Sequence, residues 1–245
     1  MEAGTGSKPL GDRPIRPAAT LLLVRDGQSG LEIMTVKRSK TVTSFPGFIA
    51  FPGGAVEQDD ELCVRKFGVG DVRGAQHSDD AVFAFAGLRE TAEEIGWLGG
   101  IVRQDGSPYS TMIPPQTQLS LLRDKDVLSR KLEANDWRIA LSELRFVGRW
   151  VTPIETNIPV RFDARFFVMR GFQKELPVRV HQNELDWARW YRPSVLLDEV
   201  REGRAAAALP TMSMLRALAR ATDVEWCLNH LDVPSPHPII SERPD

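Results

Sequence analysis

The sequence predicts an α+β fold, in which a mixed β-sheet is sandwiched between helices and carries helical insertions. Two blocks of apolar, β-favouring segments are each followed by segments with helical periodicity. Residues 165–169 form a nearly continuous apolar run, as expected of a strand in the middle of a sheet. The sequence shows no internal repeat, so we expect one domain over residues 17–245 after a flexible arm over residues 1–16.

The first strand block lies at the start of this domain. Residues 18–25 and 31–38 are apolar and β-favouring, and the Asp-Gly-Gln-Ser-Gly linker between them is of the hairpin type. Residues 48–51 predict a short third strand that runs into a tight turn at Gly53 and Gly54. We therefore expect a hairpin and a third strand that delivers the chain to this turn.

A long helix is expected after a surface loop. Residues 57–78 are rich in acidic residues and glycine, which is typical of a solvent-exposed excursion. Ser78 is followed by two aspartates, a pattern that favours a helix start, and Gly96 is placed to end the helix as a C-cap. Apolar residues recur along one face of this helix, so we expect that face to anchor it on the sheet.

The second half of the chain predicts further helices and strands. Residues 117–143 have the pattern of two helices that break near Asn135 and Asp136, and we interpret them as a packed accessory pair rather than a substrate lid. The remaining expected strands are residues 145–152, 164–170 and 185–191, and the remaining expected helices are residues 194–202, 211–220 and 224–231.

Composition limits the function classes. The chain of 245 residues has a net charge of −2 and a pI near 6.1, so we expect no nucleic-acid partner. No apolar run approaches the length that crosses a bilayer, so we expect no membrane partner and a cytoplasmic location. Cys63 and Cys227 match no metal-binding spacing and are expected as reduced thiols, with a disulfide as the alternative.

Three carboxylates crowd one edge of the predicted long helix. Glu90, Glu93 and Glu94 are three or four residues apart or adjacent, so their side chains lie close together. A cation between them would relieve their repulsion, and hard oxygen ligands favour Mg²⁺ or Mn²⁺ over zinc. Arg89 precedes Glu93 by four residues, so a helical ion pair would hold this carboxylate in position. The alternative is an ordinary solvated acidic face.

The glycine turn and the acidic helix together resemble the Nudix box. Gly54 fits the opening glycine, and residues 89–97 fit the closing pattern R-E-x-x-E-E-x-G plus a bulky apolar residue. Thr91 departs from the pattern, since a bulky apolar residue is usual there.

The box is interrupted by extra residues between its two halves. Counting forward from Gly54 puts Asp60 at the first acidic position, whereas counting back from Arg89 gives Ala81. The sequence therefore leaves this position unassigned.

The resemblance implies a Nudix fold and a diphosphatase that uses Mg²⁺ or Mn²⁺. The implied metal ligands are the carbonyl of Gly54 and the carboxylates of Glu90, Glu93 and Glu94. The implied catalytic residues are Arg89, Glu93, Glu94 and Glu184. Glu184 enters as the candidate general base, because a glutamate shortly before a tryptophan is usual late in Nudix domains.

A second pattern bears on the substrate. Arg38 and Ser39, with Gly47 and the Phe-Pro-Gly-Gly run ahead of the box, resemble the fingerprint of CoA diphosphatases in this family, but Thr43 replaces a second arginine. The interrupted box, Trp-Val-Thr-Pro at residues 150–153 and Leu-Pro-Thr at residues 209–211 resemble the mammalian peroxisomal branch of these enzymes.

The expected substrate contacts follow from this resemblance and from the chemistry of arginine. They are Arg38, Ser39, Gly53, Arg161 and Arg165. Alternatively, the last two arginines pair with Asp163 or Glu155. Phe45 and Phe48 are candidates to stack an adenine ring, with core packing as the alternative.

We therefore expect a metal-dependent hydrolase that cleaves the diphosphate of CoA or acyl-CoA to 3′,5′-ADP and 4′-phosphopantetheine. An ADP-ribose, NADH or other nucleoside-diphosphate hydrolase is the alternative enzyme. A nucleotide-sensing Nudix module without activity is the second alternative, but such modules typically lose box glutamates that this chain keeps. The expected partner is a small nucleoside-diphosphate substrate, and a homodimer is the expected oligomeric state.

Overall fold

The computed structural model describes most of the predicted domain. The described residues are 14–124, 126–154, 160–173, 176–181 and 183–233. Residues 1–13 of the expected arm and Glu155, an alternative arginine partner, lie outside them.

Eleven strands in the described part of the chain form two sheets. In chain order they are β1 (Ile15–Gly27), β2 (Gly30–Arg38), β3 (Ile49–Ala50), β4 (Gly53–Ala55), β5 (Gly68–Val69), β6 (Trp97–Val102), β7 (Pro108–Met112), β8 (Arg138–Ala140), β9 (Arg145–Val151), β10 (Arg161–Arg170) and β11 (Leu185–Tyr191). The first sheet has seven strands in the order β11-β2-β1-β10-β9, with β3 beside β2 and β4 beside β1. The second sheet has four strands in the order β5-β8-β6-β7.

Seven α-helices, counted over the same residues, pack around these sheets. In chain order they are α1 (Gln58–Phe67), α2 (Asp80–Ile95), α3 (Pro115–Leu121), α4 (Asp126–Ala134), α5 (Pro193–Arg201), α6 (Leu209–Leu218) and α7 (Val224–His230). The predicted α+β architecture with helical insertions is confirmed. None of these described helices is both long and apolar enough to cross a membrane.

The central strands β1 and β10 divide the core into two layers. They run parallel, with Leu21 opposite Phe167 and Leu22 opposite Val168. Successive side chains of a strand point to opposite faces. Leu21 and Phe167 therefore pack in the cluster that contains α2, whereas Leu22 and Val168 pack in the cluster that contains α6 and α7. Burial of both faces explains the nearly continuous apolar run in β10.

The insertion over residues 57–78 is not a surface loop, and this prediction is wrong. Residues 58–67 form α1, whose Cys63 and Phe67 are buried in the α2-side core. A capping box between Glu57 and Asp60 starts the helix. The acidic residues that suggested a loop lie in its first turn, where they complement the helix dipole.

Residues 117–143 depart from the predicted helix pair in their second half. The break falls between α3 and α4, and the chain leaves α4 before Asp136, which has a φ of 51°. The residues that follow form β8 of the second sheet instead of continuing a helix. Near the N-terminus, Ile15 and Arg16 of the expected arm already belong to β1. The N-cap of α2 is Asp79 rather than Ser78.

Replacing Phe67 by alanine tests whether the insertion belongs to the core. Phe67 is 3% exposed, so loss of its ring leaves a cavity, and we expect the free energy of unfolding to fall by about 3 kcal/mol. Urea denaturation measures this change. Leu62→Ala is the matched control on the same helix, because Leu62 is 50% exposed and its loss should cost less than about 1 kcal/mol. Equally small losses in both variants would contradict the buried position of α1.

Candidate active site

Two glycines form the turn that faces the acidic helix. β4 pairs with β1, which places Gly53 opposite Thr20 and Gly54 opposite Ala19. Gly53 has a φ of 153°, and a Cβ atom there would lie 2.2 Å from the carbonyl oxygen of Ala19. A Cβ atom at Gly54 would lie 2.4 Å from Cδ of Glu90. The backbone of β1 therefore excludes a side chain at the first position, and a side chain at the second would displace the Glu90 carboxylate.

Helix α2 directs its glutamates towards this turn. The carboxylate of Glu90 lies against Gly54, and Oε2 of Glu94 accepts a hydrogen bond from the N–H of Gly53 at 3.0 Å. The helix ends at Ile95, and Gly96, which has a φ of 71°, is its C-cap. The left-handed cap lets the chain turn away at once, so the glutamates occupy the last turns of α2.

A buried arginine ties these glutamates together. Arg89 is 2% exposed, and its Nη1 donates to Oε1 of Glu90 at 2.9 Å and to Oε1 of Glu93 at 3.0 Å. Burial alone would lower the pKa of Arg89, but the hydrogen bond to Asp60 and the three surrounding carboxylates raise it above the ordinary value. Arg89 is buried against these carboxylates and hydrogen-bonded to them, so it is held where it can orient them. Its catalytic role stays a prediction.

Asp60, one of the two residues reached by counting along the interrupted motif, pairs with Arg89 in the structure. Nε and Nη2 of Arg89 donate to its two carboxylate oxygens at 2.8 Å and 3.1 Å. Asp60 is 1% exposed and also accepts from the N–H of Glu57 at 2.8 Å, so it joins the start of α1 to the centre of the site. The forward count from Gly54 therefore identifies the residue that pairs with Arg89, whereas Ala81 carries no carboxylate.

Thr91, the departure from the usual pattern, is accommodated inside α2. It is fully buried, and its Oγ1 donates to the carbonyl of Gly87 one turn earlier at 2.7 Å. The hydroxyl therefore has its partner within the helix, and the substitution leaves no unsatisfied donor.

Three further charges surround Glu94. Burial and then the charge of Glu90 raise the pKa of Glu94 well above its ordinary value, and Glu184 acts in the same direction. The N–H of Gly53 and the charge of Arg38 act in the opposite direction. The structure thus brings together Glu94, Arg38 from the end of β2 and Glu184 from the segment before β11, although they are far apart in the sequence.

The loop after β2 holds the segment that carries Glu184. The N–H of Ser39 donates to the carbonyl of Glu184 at 2.8 Å, and its hydroxyl hydrogen-bonds to that of Thr41 at 2.9 Å. Nε of Arg38 donates to the carbonyl of Ser44 at 2.8 Å. The polar atoms of Ser39, a predicted substrate contact, hold this loop against the Glu184 segment. Gly53 likewise directs its N–H to Glu94.

Helix α3 fixes the last turn of α2. Nε2 of Gln118 donates to the carbonyl of Glu93 and to that of Arg179, at 2.9 Å in both cases. Gln118 is buried, and its amide packs over Gly96, where a Cβ atom would lie 2.8 Å from its Oε1. These contacts place α3 as a packed support of the acidic helix, in line with the accessory-pair interpretation.

The structure gives Arg165 partners that remove it from the expected substrate contacts. Its Nη1 donates to Asp79 at 2.7 Å and to Asp80 at 2.6 Å, and its guanidinium stacks 3.7 Å from the ring centre of Phe83. The hydrogen bond from Arg165 lowers the pKa of Asp79. These residues lie at the first turn of α2, about 20 Å along the helix from Glu94. The prediction for Arg165 is therefore corrected to an anchor of the helix start.

Arg161 lies at the start of β10, where its Nε donates to the carbonyl of Thr152 at 3.0 Å. Asp163, which the sequence offered as an alternative partner for Arg161 and Arg165, forms an ion pair with Arg149 at 2.7 Å.

The three glutamates are a donor set of the right chemistry for a hard divalent cation. Across the described ranges, however, no three His, Cys, Asp or Glu side chains stand in an arrangement that would itself hold a metal ion. Nη1 of Arg89 hydrogen-bonds to Oε1 of Glu90 and to Oε1 of Glu93, which keeps these two carboxylates next to each other. The glycine cradle at Gly54 nevertheless admits the Glu90 carboxylate to the turn, so the residues fit the metal that the sequence predicts.

A cavity of about 330 Å³ opens on the other side of the glycine turn. Gly53 and Gly54 form part of its wall, together with β1, the loop after β2, and the strands β9 and β10. The start of α6 contributes Pro210 and Thr211. Its aromatic lining residues are Phe45, Phe48, Phe51, Trp150, Phe162 and Phe166.

Comparison with known proteins defines the class. The crystal structure of a NUDIX hydrolase from Alicyclobacillus acidocaldarius is 38% identical in sequence, matches 91% of this chain and 99% of its own chain, and has a TM-score of 0.86. Nudix hydrolase 7 of Caenorhabditis elegans is 26% identical over 221 residues, or 90% of this chain. This chain spans 66% of the length of that relative. No protein-family model matches the chain.

The fold, with its acidic helix against a glycine turn, is therefore that of the Nudix hydrolases. The chain belongs to the Nudix hydrolase family.

Asp60→Ala tests the buried ion pair. Removing one partner leaves the Arg89 charge buried with less compensation, and we expect the free energy of unfolding to fall by about 3 kcal/mol. Asp59→Ala is the control, because Asp59 is exposed in the same helical turn, and we expect a change within about 0.5 kcal/mol. Urea denaturation measures both. A loss for Asp60→Ala no larger than for the control would exclude the ion pair as a structural anchor.

Proposed function

We propose that this Nudix hydrolase cleaves the diphosphate of CoA or acyl-CoA, with Mg²⁺ or Mn²⁺, to 3′,5′-ADP and 4′-phosphopantetheine or its acyl derivative. The observation that carries this proposal is the convergence of the α2 glutamates, the glycine turn and Arg38 at one end of the cavity. A negatively charged diphosphate needs positive charge at its oxygens and an activated water molecule. The site supplies residues for both tasks.

Glu90, Glu93, Glu94 and the carbonyl of Gly54 are the proposed metal ligands. A bound divalent cation would neutralise the diphosphate oxygens and lower the pKa of a water molecule. Arg89 acts on these ligands from behind, since its ion pairs fix Glu90 and Glu93 on the side of Asp60. The protein thus prepares the orientation of the carboxylates before substrate arrives.

Glu184 is the proposed general base. Its side chain is exposed, it is near enough to Glu94 for their charges to interact, and its backbone is held to Ser39. An exposed carboxylate beside the metal ligands is suited to accept a proton from the attacking water. Glu93 and Glu94 are proposed to act with it as the catalytic carboxylates.

Arg38 and Arg161 are the proposed phosphate contacts. Arg38 lines the cavity and interacts electrostatically with Glu94, so its charge lies where a diphosphate at the glycine turn would need it. Arg161 lies next to the cavity residues Thr152 and Phe162. Ser39 and Gly53 support the contact region through their bonds to Glu184 and Glu94.

A substrate panel tests the choice of CoA. We expect kcat/KM for CoA or acetyl-CoA to exceed the values for ADP-ribose, NADH and diadenosine polyphosphates by about tenfold or more, with either Mg²⁺ or Mn²⁺. Chromatography with mass detection would identify 3′,5′-ADP and phosphopantetheine as products. A preference for ADP-ribose or NADH would replace the CoA assignment by the alternative enzyme. Binding without turnover of any compound would indicate a sensing module.

Glu94→Gln tests the role of the acidic helix. The amide keeps the size of the side chain but removes its charge, so we expect kcat/KM to fall at least about a thousandfold. Circular dichroism and CoA affinity should stay close to those of the unaltered protein. Glu61→Gln is the control, since Glu61 is an exposed residue of α1 and should leave the rate unchanged. Turnover of Glu94→Gln at the original rate would refute the metal-ligand assignment.

A further inference from the structure

The cavity behind the glycine turn has little capacity to bind charge. Six aromatic side chains line it, and the remaining wall is largely alanine, glycine and residues with hydroxyl groups. Among its described lining residues, Arg38 is the single charged side chain. A phosphate group placed deep in this cavity would lose its hydration without a matching cation, which is unfavourable.

The position of Arg38 separates the charged and uncharged parts of the site. Arg38 lines the cavity together with Gly53 and Gly54 of the turn, and its Nε donates to the carbonyl of Ser44 in the loop that also carries Phe45. Phe45 has a φ of 50°, a backbone conformation that is costly for an aromatic residue. The loop is thus held in a strained shape that places Phe45 on the cavity wall, with the arginine at the turn.

We infer that this cavity holds the uncharged arm attached to one side of the diphosphate, that is, the pantetheine thioester with the first carbons of its acyl group. This inference rests on the proposed function and deepens it. The diphosphate lies at the glycine turn, which forms the wall shared by the glutamates and the cavity. The arm extends past Phe162 and Trp150 towards the start of α6, and the 3′-phosphate end stays outside the cavity.

The α6 part of the cavity wall agrees with an apolar occupant. Pro210 and Thr211 line the cavity, and the residue before them in the chain, Leu209, has 76% of its surface exposed. An exposed leucine beside an aromatic-lined cavity offers an apolar surface to an acyl chain that is longer than the cavity. The cavity volume of about 330 Å³ is at the lower end of the range for ligand sites, so the gain from chain length should stop after a few carbons.

The test uses a fragment that has no phosphate. S-acetyl-, S-butanoyl- and S-hexanoyl-pantetheine are titrated into the full chain in EDTA buffer, and their dissociation constants are measured by calorimetry. Each methylene that enters the cavity should raise the affinity about fourfold. Adenosine 3′,5′-bisphosphate is titrated into the same protein in the presence and absence of the hexanoyl ester, and we expect it not to compete.

Two variants change the cavity in opposite directions. Ala164 lines the cavity and is only partly buried, so Ala164→Leu fills space there and should reduce the gain per methylene to less than about twofold. Phe162→Ala enlarges the cavity and should extend the gain to S-octanoyl-pantetheine. Ala134→Leu, at an exposed position of α4, is the matched control and should leave the series unchanged. A folding defect would weaken all esters alike, whereas the inference predicts a change in slope.

Three outcomes would overturn the inference: affinity that does not depend on acyl length, a slope that Ala164→Leu does not alter, or competition by adenosine 3′,5′-bisphosphate for the cavity. The last outcome would mean that the cavity binds the nucleotide part of the substrate. These results are separate from the substrate panel. Failure of CoA hydrolysis together with a normal ester series would reject the proposed function but keep the arm-binding cavity, and the reverse result would reject the cavity assignment alone.

Discussion

The buried ion pair between Arg89 and Asp60 is the interaction on which the site depends. Two bonds of the guanidinium go to Asp60 on α1, and a third nitrogen reaches Glu90 and Glu93 on α2. An isolated buried charge is unfavourable, so this arrangement is stable only when both helices are in place. The acidic edge of α2 is therefore fixed from behind, while its front faces the glycine turn.

The glycine turn is the second constraint, because it packs closely against both the backbone of β1 and the side chain of Glu90. Gly53 must pass close to the backbone of β1, and Gly54 must leave room for Glu90. The turn consequently brings the sheet, the acidic helix and the aromatic cavity into contact within a few residues. The N–H of Gly53 donates a hydrogen bond to Glu94, and the N–H of Ser39 donates one to the carbonyl of Glu184. These bonds join segments that are distant in the sequence. The site is thus assembled by the fold rather than by one local motif.

Much of this arrangement could be predicted from the sequence, because its strands and its acidic helix have clear patterns. β11 has the bounds that the sequence predicts, and the glutamate spacing correctly predicts that Glu90 and Glu94 lie close together, here at the glycine turn. α1 could not be predicted because its many acidic residues outweigh its two buried apolar side chains, Cys63 and Phe67. β8 could not be predicted because Trp137 and Leu141, on either side of it, also fit a helical period. The partners of Arg165 depend on contacts across the fold, which no local pattern contains.

The pairing of Asp60 with Arg89 has a consequence for how the length of this region can vary. The two residues meet through the packing of α1 on α2, and the chain between these helices, residues 68–79, returns along the surface and the second sheet. Lengthening a connection costs little free energy once its two ends are fixed. A change in the length of this connection would therefore leave the ion pair of Asp60 with Arg89 in place, so the spacing between the two halves of the motif is a weaker constraint than the contact itself.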